Sequence, residues 1–242
     1  MRAVITAGGR IAGEYARVAG TTVKALARVR GRSMLSIAID AVRGAGAREV
    51  AVVGGEEIRE ACGREVESVV DESASGAENL RRSLHAWPED DALLYVTSDL
   101  PYVTSEALKD FSERARGALA IAVAEGEAFD RRFPGALGFG IRLGKERVVN
   151  GGAFLLPAAT ASRVAHLAAR FFDVRKSRLR MASLAGAEVL LRYALGTLTL
   201  TGLERRATRV LGLDVRAVRD CAPELAYDAD DLAAYRYARE HP

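Results

Sequence analysis

The stretch "LLYVTSDLPYVT", residues 93–104, runs strand-forming residues Leu93 to Val96 into an acid and a proline. Asp99 therefore stands where a buried strand should end. A carboxylate at the edge of an apolar sheet needs a partner, and a helix N-terminus, an arginine or a metal ion would each serve. A second candidate is the pair Gly8 and Gly9, which follows the strand-like "RAVITA". With no Cβ in the way, a glycine pair lets backbone approach a phosphate closely, although it also fits any tight turn. The third is Lys24, in a chain whose only other lysines are Lys109, Lys145 and Lys176. A lysine just before "ALARVRGRSML" is placed to neutralise an anion, and a solvated surface lysine is the plainer alternative.

These residues hang on an alternating pattern. "RAVITA" (2–7), "REVAVVG" (48–54), "EVESVVD" (65–71), "ALLYVTS" (92–98) and "ALAIAVA" (118–124) are short, apolar and valine-rich. Between them "SMLSIAIDAVRGAG" (33–46), "GEEIREACG" (55–63), "SGAENLRRSLHAW" (75–87) and "SEALKDFSERARG" (105–117) carry apolar residues at helical spacing. Strand and helix in that rhythm predict an α/β fold, a mainly parallel sheet with helices on both faces. Ligands bind such sheets at the carboxyl ends of strands, where Asp99 falls. "FDRRFPGALGFGIRLG" (129–144) predicts loops and bent strands, and "VVNGGAFLLP" (148–157) a strand entering a turn. Residues 158–213 read as successive helices, with Thr201 an N-cap and Glu204 completing a capping box. "DVRAVRD" (214–220) reads as a strand, and "DADDLAAYRYARE" (228–240) as a closing helix.

Composition narrows the function. Hydrophobic residues make up 49% of the 242 and charged residues 28%, enough to bury a core. Cys62 and Cys221 are the only cysteines, which excludes a disulfide framework and points to a reducing cytoplasm. No leader-like start and no run of about 18 apolar residues is present, so no membrane partner is expected. The basic run "RKSRLR" (175–180) lacks interleaved aromatics, so nucleic acid is not expected either. His85, His166 and His241 form no cluster, which disfavours zinc hydrolysis and a Ser–His–Asp triad. Neither G-x-G-x-x-G nor G-x-x-x-x-G-K-[ST] occurs, which disfavours a Rossmann dehydrogenase or a P-loop enzyme.

Taken in order, the features resemble the nucleotidyltransferases related to molybdenum cofactor guanylyltransferase and the sugar-phosphate nucleotidyltransferases. That family opens with a strand and a glycine-rich loop, then a lysine in K-P/A-L, then G-x-P-M-L entering a helix. "AVITAGG", "KAL" and "GRSML" follow that order, with Ser33 where proline is usual. "TSDLPYVT" is similar to the family's D-x-P turn, residues 150–152 to its NGG element, and "ELAYDADDL" to its late aspartate. The resemblance covers most of the chain and least of 158–213. It implies a three-layer α/β/α, Rossmann-like, mainly parallel mixed sheet of the GT-A type with a C-terminal helical insertion. A single domain, 1–242, would have a nucleotide-binding half (1–125) and an acceptor half (126–242) with the insertion at about 158–213.

The same resemblance implies the roles. Ala7, Gly8, Gly9 and Arg10 would lie along the nucleotide, Lys24 would neutralise phosphate charge during attack on the α-phosphorus, and Ser75, Gly76 and Asn79 would lie near the base. Asp99 and Asp228 would hold Mg²⁺, with Asp230 the rival second ligand, and Asn150 and Gly151 would face the acceptor. The expected reaction joins a nucleoside triphosphate to a small acceptor (a cofactor precursor, sugar phosphate or polyol phosphate) and releases pyrophosphate. Such transfer is mostly positioning and charge neutralisation, with one or two carboxylates on the metal. The family's first loop usually reads G-G-x-G-x-R-M-G. Here Ala12 and Glu14 stand where glycine and arginine are expected, so Arg10 or Arg17 would take over the phosphate grip. A glycosyltransferase using a nucleotide sugar is the alternative enzyme, although "SDLP" matches its D-x-D motif poorly. A non-catalytic nucleotide-binding protein is the other alternative. Phe171, Phe172 and the leucines of 184–200 would pack as a helical layer, or serve as a lid or a homodimer surface.

Overall fold

The computed structural model describes residues 1–136, 139–165 and 186–241. Its main sheet has the strand order β10-β7-β9-β6-β1-β4-β5, with β8 beside β9. The strands are β1 (Arg2–Thr6), β4 (Val50–Gly54), β5 (Ser68–Asp71), β6 (Leu93–Thr97), β7 (Leu119–Glu125), β8 (Ile141–Leu143), β9 (Glu146–Leu156) and β10 (Val215–Val218). β2 (Arg28–Val29) and β3 (Arg32–Ser33) form a separate small hairpin. β5, β4, β1 and β6 run parallel, and β9 enters antiparallel between β6 and β7. The expected mixed, mainly parallel sheet with helices on both faces is what forms.

Alternation along the strands assigns the faces. Ala3 and Ile5 of β1 and Val50 and Val52 of β4 pack with Leu35, Ala38 and Val42 of α2 (Met34–Gly44) and with Leu108 and Phe111 of α5 (Ser105–Arg114). Val4, Ala51 and Val53 point the other way, to Leu80 and Leu84 of α4 (Gly76–Leu84). A third cluster, rich in aromatics, joins Ile11 and Tyr15 to Phe129, Tyr227 and Tyr235. It ties the first loop and α1 (Gly13–Ala19) to the closing helix α9 (Leu232–Glu240) across more than two hundred residues of chain.

Two local expectations are corrected. The segment after β7 is helical, α6 (Gly126–Arg132), before the chain reaches β8. Glycine and proline density suggested loop, but the breakers begin only at Pro134, and Phe133 caps the helix just before it. In α8 (Leu200–Leu211) the N-cap is Thr199, whose hydroxyl accepts from Gly202 N–H, and Thr201 is already helical. Glu204 forms no capping box; its carboxylate accepts from Ala217 N–H of β10. Capping begins two residues early because Leu200 is buried and so belongs to the packed face. The remaining α-helices among the described residues are α3 (Glu56–Cys62) and α7 (Ala187–Ala194). His166, Phe171, Phe172 and the run 175–180 lie outside the described residues. Among those described, no helix is long and apolar enough to cross a membrane.

Candidate active site

Strand register assembles the site. β1 lies between β4 and β6, with Thr6 opposite both Val53 and Thr97. The carboxyl ends of four parallel strands therefore deliver Gly8, Gly55, Glu72 and Asp99 to one edge. β9 arrives from the opposite direction, with Ala153 against Val96, so Gly152 lies beside Thr97 and Asn150 and Gly151 run on past the end of β6. Gly152 must lack a Cβ, which would collide with Thr97 Oγ1.

Asp99 is fixed by backbone. Its carbonyl accepts from Ala229 N–H at 2.9 Å, and the Ala229 carbonyl accepts from the buried Tyr15 hydroxyl at 2.8 Å. Ala229 is thus held on both sides, which presents Asp228 and Asp230 beside Asp99. Lys24 is set by pairing of the first loop with residues 22–24: Ile11 N–H donates to Thr22 O and Lys24 N–H to Gly9 O, each at 2.9 Å. Its ammonium then bridges Asp99 Oδ2 and Asp230 Oδ1, both at 2.6 Å.

The charges are unevenly paired. Burial pushes the Lys24 ammonium toward neutrality, but Asp99 and Asp230 outweigh it and the net direction is up. Burial likewise raises the Asp99 carboxyl, and Lys24 reverses this to a net fall. For Asp228 the compensation is only partial. Burial, with Asp230 and Asp99 nearby, raises its carboxyl to about 7 even after a partial offset from Lys24. Asp99 Oδ1 is buried without a hydrogen-bond partner.

These features test whether the residues suit a metal. Among the described residues no group of three or more His, Cys, Asp or Glu side chains is arranged to hold one. Mg²⁺ with a nucleotide asks for less, one or two carboxylates plus phosphate oxygens and water. Two adjacent aspartates with surplus negative charge fit that demand.

The other expected residues are placed as follows. Gly8 and Gly9 do not donate their N–H groups to any described residue, whereas Ala7 spends its own on Val53 O. A Cβ on Gly8 would collide with Glu72 Oε2. Arg10 turns from the loop to Glu57 and Glu72, at 2.8 and 2.5 Å. Arg17 lies 3.7 Å from Glu14, and Glu14 in turn pairs with Arg236 of α9 at 2.6 Å. The acid in the altered loop is therefore neutralised by the closing helix. Ser75 caps α4 and Gly76 begins it, while Asn79 braces the preceding loop by bonding Ser73 N–H and Ser73 O. Asn150 lines a cleft of about 390 Å³ with Phe139, Asp228, Asp230, Asp231 and Tyr237. Gly151 is not among the residues lining it, and a Cβ there would meet Leu225 O at 2.8 Å.

Two contributors escaped the sequence reading. Glu72 carries the signal that exposed Asp99, an acid just past a parallel strand. Tyr15 carries none, because only the fold brings it to Ala229.

Residues 3–178 match the MobA-like NTP transferase domain. A hypothetical transferase from Thermus thermophilus is similar at 31% identity, with 97% of this chain and 100% of that one covered and a TM-score of 0.85. A Methanothermobacter nucleotidyl transferase superposes at a TM-score of 0.58 with 18% identity, covering 99% of this chain and 96% of its own. A manganese complex of a Mycobacterium tuberculosis protein does so at 0.55 with 17% identity, over 100% and 98%. Among curated proteins none matches. With its elements in the family's order on the family's fold, the chain belongs to the MobA-like NTP transferase domain family and is a nucleotidyltransferase.

Proposed function

We propose that this enzyme transfers the nucleoside monophosphate of a nucleoside triphosphate to a small phosphorylated acceptor, releasing pyrophosphate, with Mg²⁺ as its cation. One observation carries the reading: Lys24, bridging Asp99 and Asp230 at 2.6 Å, lies against a loop whose Gly8 and Gly9 amides are uncommitted. A cation and free N–H groups at the carboxyl edge of a parallel sheet are what a triphosphate needs. Gly8 and Gly9 would hold phosphate oxygens and Lys24 would offset the charge that develops on them. Asp99 and Asp228 would hold the divalent cation, which when bound neutralises phosphate oxygens. Asp230 is the partner of Lys24 and the weaker claimant to that role.

Residues 1–125 would carry the nucleotide and 126–242 the acceptor. The acceptor would enter the cleft at Asn150, its phosphate turned to the divalent cation and not to the carboxylates themselves. The buried free thiols of Cys62 and Cys221 suit the reducing cytoplasm we propose for the protein.

The test is pyrophosphate release from each common triphosphate with Mg²⁺ and a panel of sugar, polyol and cofactor-precursor phosphates. Release that requires triphosphate, metal and acceptor together is expected. In Asp99→Asn, kcat should fall by about 10²–10³-fold, and the unfolding midpoint should fall as well, because the Lys24 ammonium loses one of its two carboxylates. Unaltered turnover in that variant would remove Asp99 from the mechanism.

A further inference from the structure

If Asp99 and Asp228 hold a metal ion, as proposed above, only one oxygen of Asp99 is placed to do so. Oδ1 is buried, so the 14% exposure of the side chain lies on its other atoms. Oδ2 is the oxygen that the Lys24 ammonium takes at 2.6 Å. A divalent ion ligated by a carboxylate sits about 2.1 Å from its oxygen. It would meet an ammonium already on that oxygen, and the two cations repel each other.

The backbone of Lys24 is pinned. Its N–H donates to Gly9 O, and its carbonyl accepts from Ala27 N–H in the 3-10 turn Lys24–Leu26. The side chain has a flexible four-carbon stem that already crosses the glycine loop: a Cβ on Gly9 would meet Lys24 Cε at 3.2 Å. One end of the ammonium's reach is thus the aspartate pair, and the other is the Gly8–Gly9 loop. Its second partner, Asp230, is 68% exposed and free to follow or let go.

We infer that Lys24 and the divalent cation are alternative occupants of Asp99 Oδ2, and that a triphosphate on the glycine loop draws the ammonium off the aspartates and so opens the metal site. The anionic ligand builds the site for its own counter-ion. Metal then binds weakly by itself and enters with or after the triphosphate.

Mn²⁺ binding to the intact protein, measured without nucleotide by the electron paramagnetic resonance of free Mn²⁺, tests this. Lys24→Met should bind Mn²⁺ at least tenfold more tightly than wild type. Lys24→Arg, which keeps the charge, should stay weak. Arg10→Met removes an equal charge from the same loop without touching the aspartates, and should change affinity less than threefold. Adding Asp99→Asn to Lys24→Met should abolish the gain. Should Lys24→Met not fold, Lys24→Gln carries the same expectation. No gain in the lysine variants, or an equal gain in Arg10→Met, would overturn the inference. Pyrophosphate release by the wild type without an Mn²⁺ gain in the variant would leave the transferase reading standing and remove only this inference. A gain without release would do the reverse.

Discussion

Lys24, Asp99 and Tyr15 come from separate parts of the chain, yet each fixes another through one contact. Tyr15 does no chemistry, but its hydroxyl holds the Ala229 carbonyl, and the Ala229 N–H holds Asp99. Tyr15→Phe keeps the ring in its apolar cluster and deletes only that bond. It should cost about 1 kcal/mol of stability, read from denaturant midpoints, and lower turnover by loosening Asp228 and Asp230. A variant with wild-type turnover would show that the segment holds its place without the tyrosine. Asp99 was singled out by its position after an apolar run, and its proposed role as a metal ligand came from the family resemblance. Tyr15 was not, because a lone tyrosine near the start of a helix looks like any core residue.

Among the elements, β9 and the cap of α8 show two ways in which pattern and packing interact. The NGG triplet read as a substrate element, and Asn150 does line the cleft. Its glycines serve close packing: Cβ atoms at 151 and 152 would strike Leu225 O and Thr97 Oγ1. That requirement depends on neighbours from distant strands, which no local pattern carries. In α8 the motif threonine, Thr201, lost the cap to Thr199. Thr199→Ala should therefore destabilise the protein by about 1 kcal/mol, whereas Thr201→Ala should change it by less than about 0.5 kcal/mol. Thermal denaturation of the two variants decides the matter, and equal losses would refute the assignment.

For the molecule as a whole, the surplus of negative charge at the site should appear in its pH dependence. The Asp228 carboxyl rises from an ordinary 3.8 to about 7 because burial and the charges of Asp230 and Asp99 disfavour its ionised form. Between those values the native state holds more protons than the unfolded state, so stability falls as pH rises. The contribution of this group is complete below about pH 4 and is lost by about pH 7. Asp228→Asn should accordingly be more stable than wild type at pH 8 by on the order of 4 kcal/mol, with the difference closing toward pH 4. Urea unfolding across that range in chelator-treated buffer measures it. A constant difference at all pH values would mean that Asp228 ionises normally.

The sequence by itself determined the alternation of strands and helices, the parallel core and the positions of Gly8, Lys24 and Asp99. The alternation and the parallel core depend on periodicity and Asp99 on a polar residue interrupting an apolar run, which are local, whereas Gly8 and Lys24 stood out by residue type and by the order of the family's motifs. Tertiary structure alone decided that Lys24 bridges Asp99 and Asp230, that Asp228 makes no ion pair among the described residues, and that Arg10 turns to Glu57 and Glu72. Pairing of charges depends on distance in space. Here that distance is set by the register of β1 against β6 and by the clamp on Ala229, which joins residues more than two hundred positions apart.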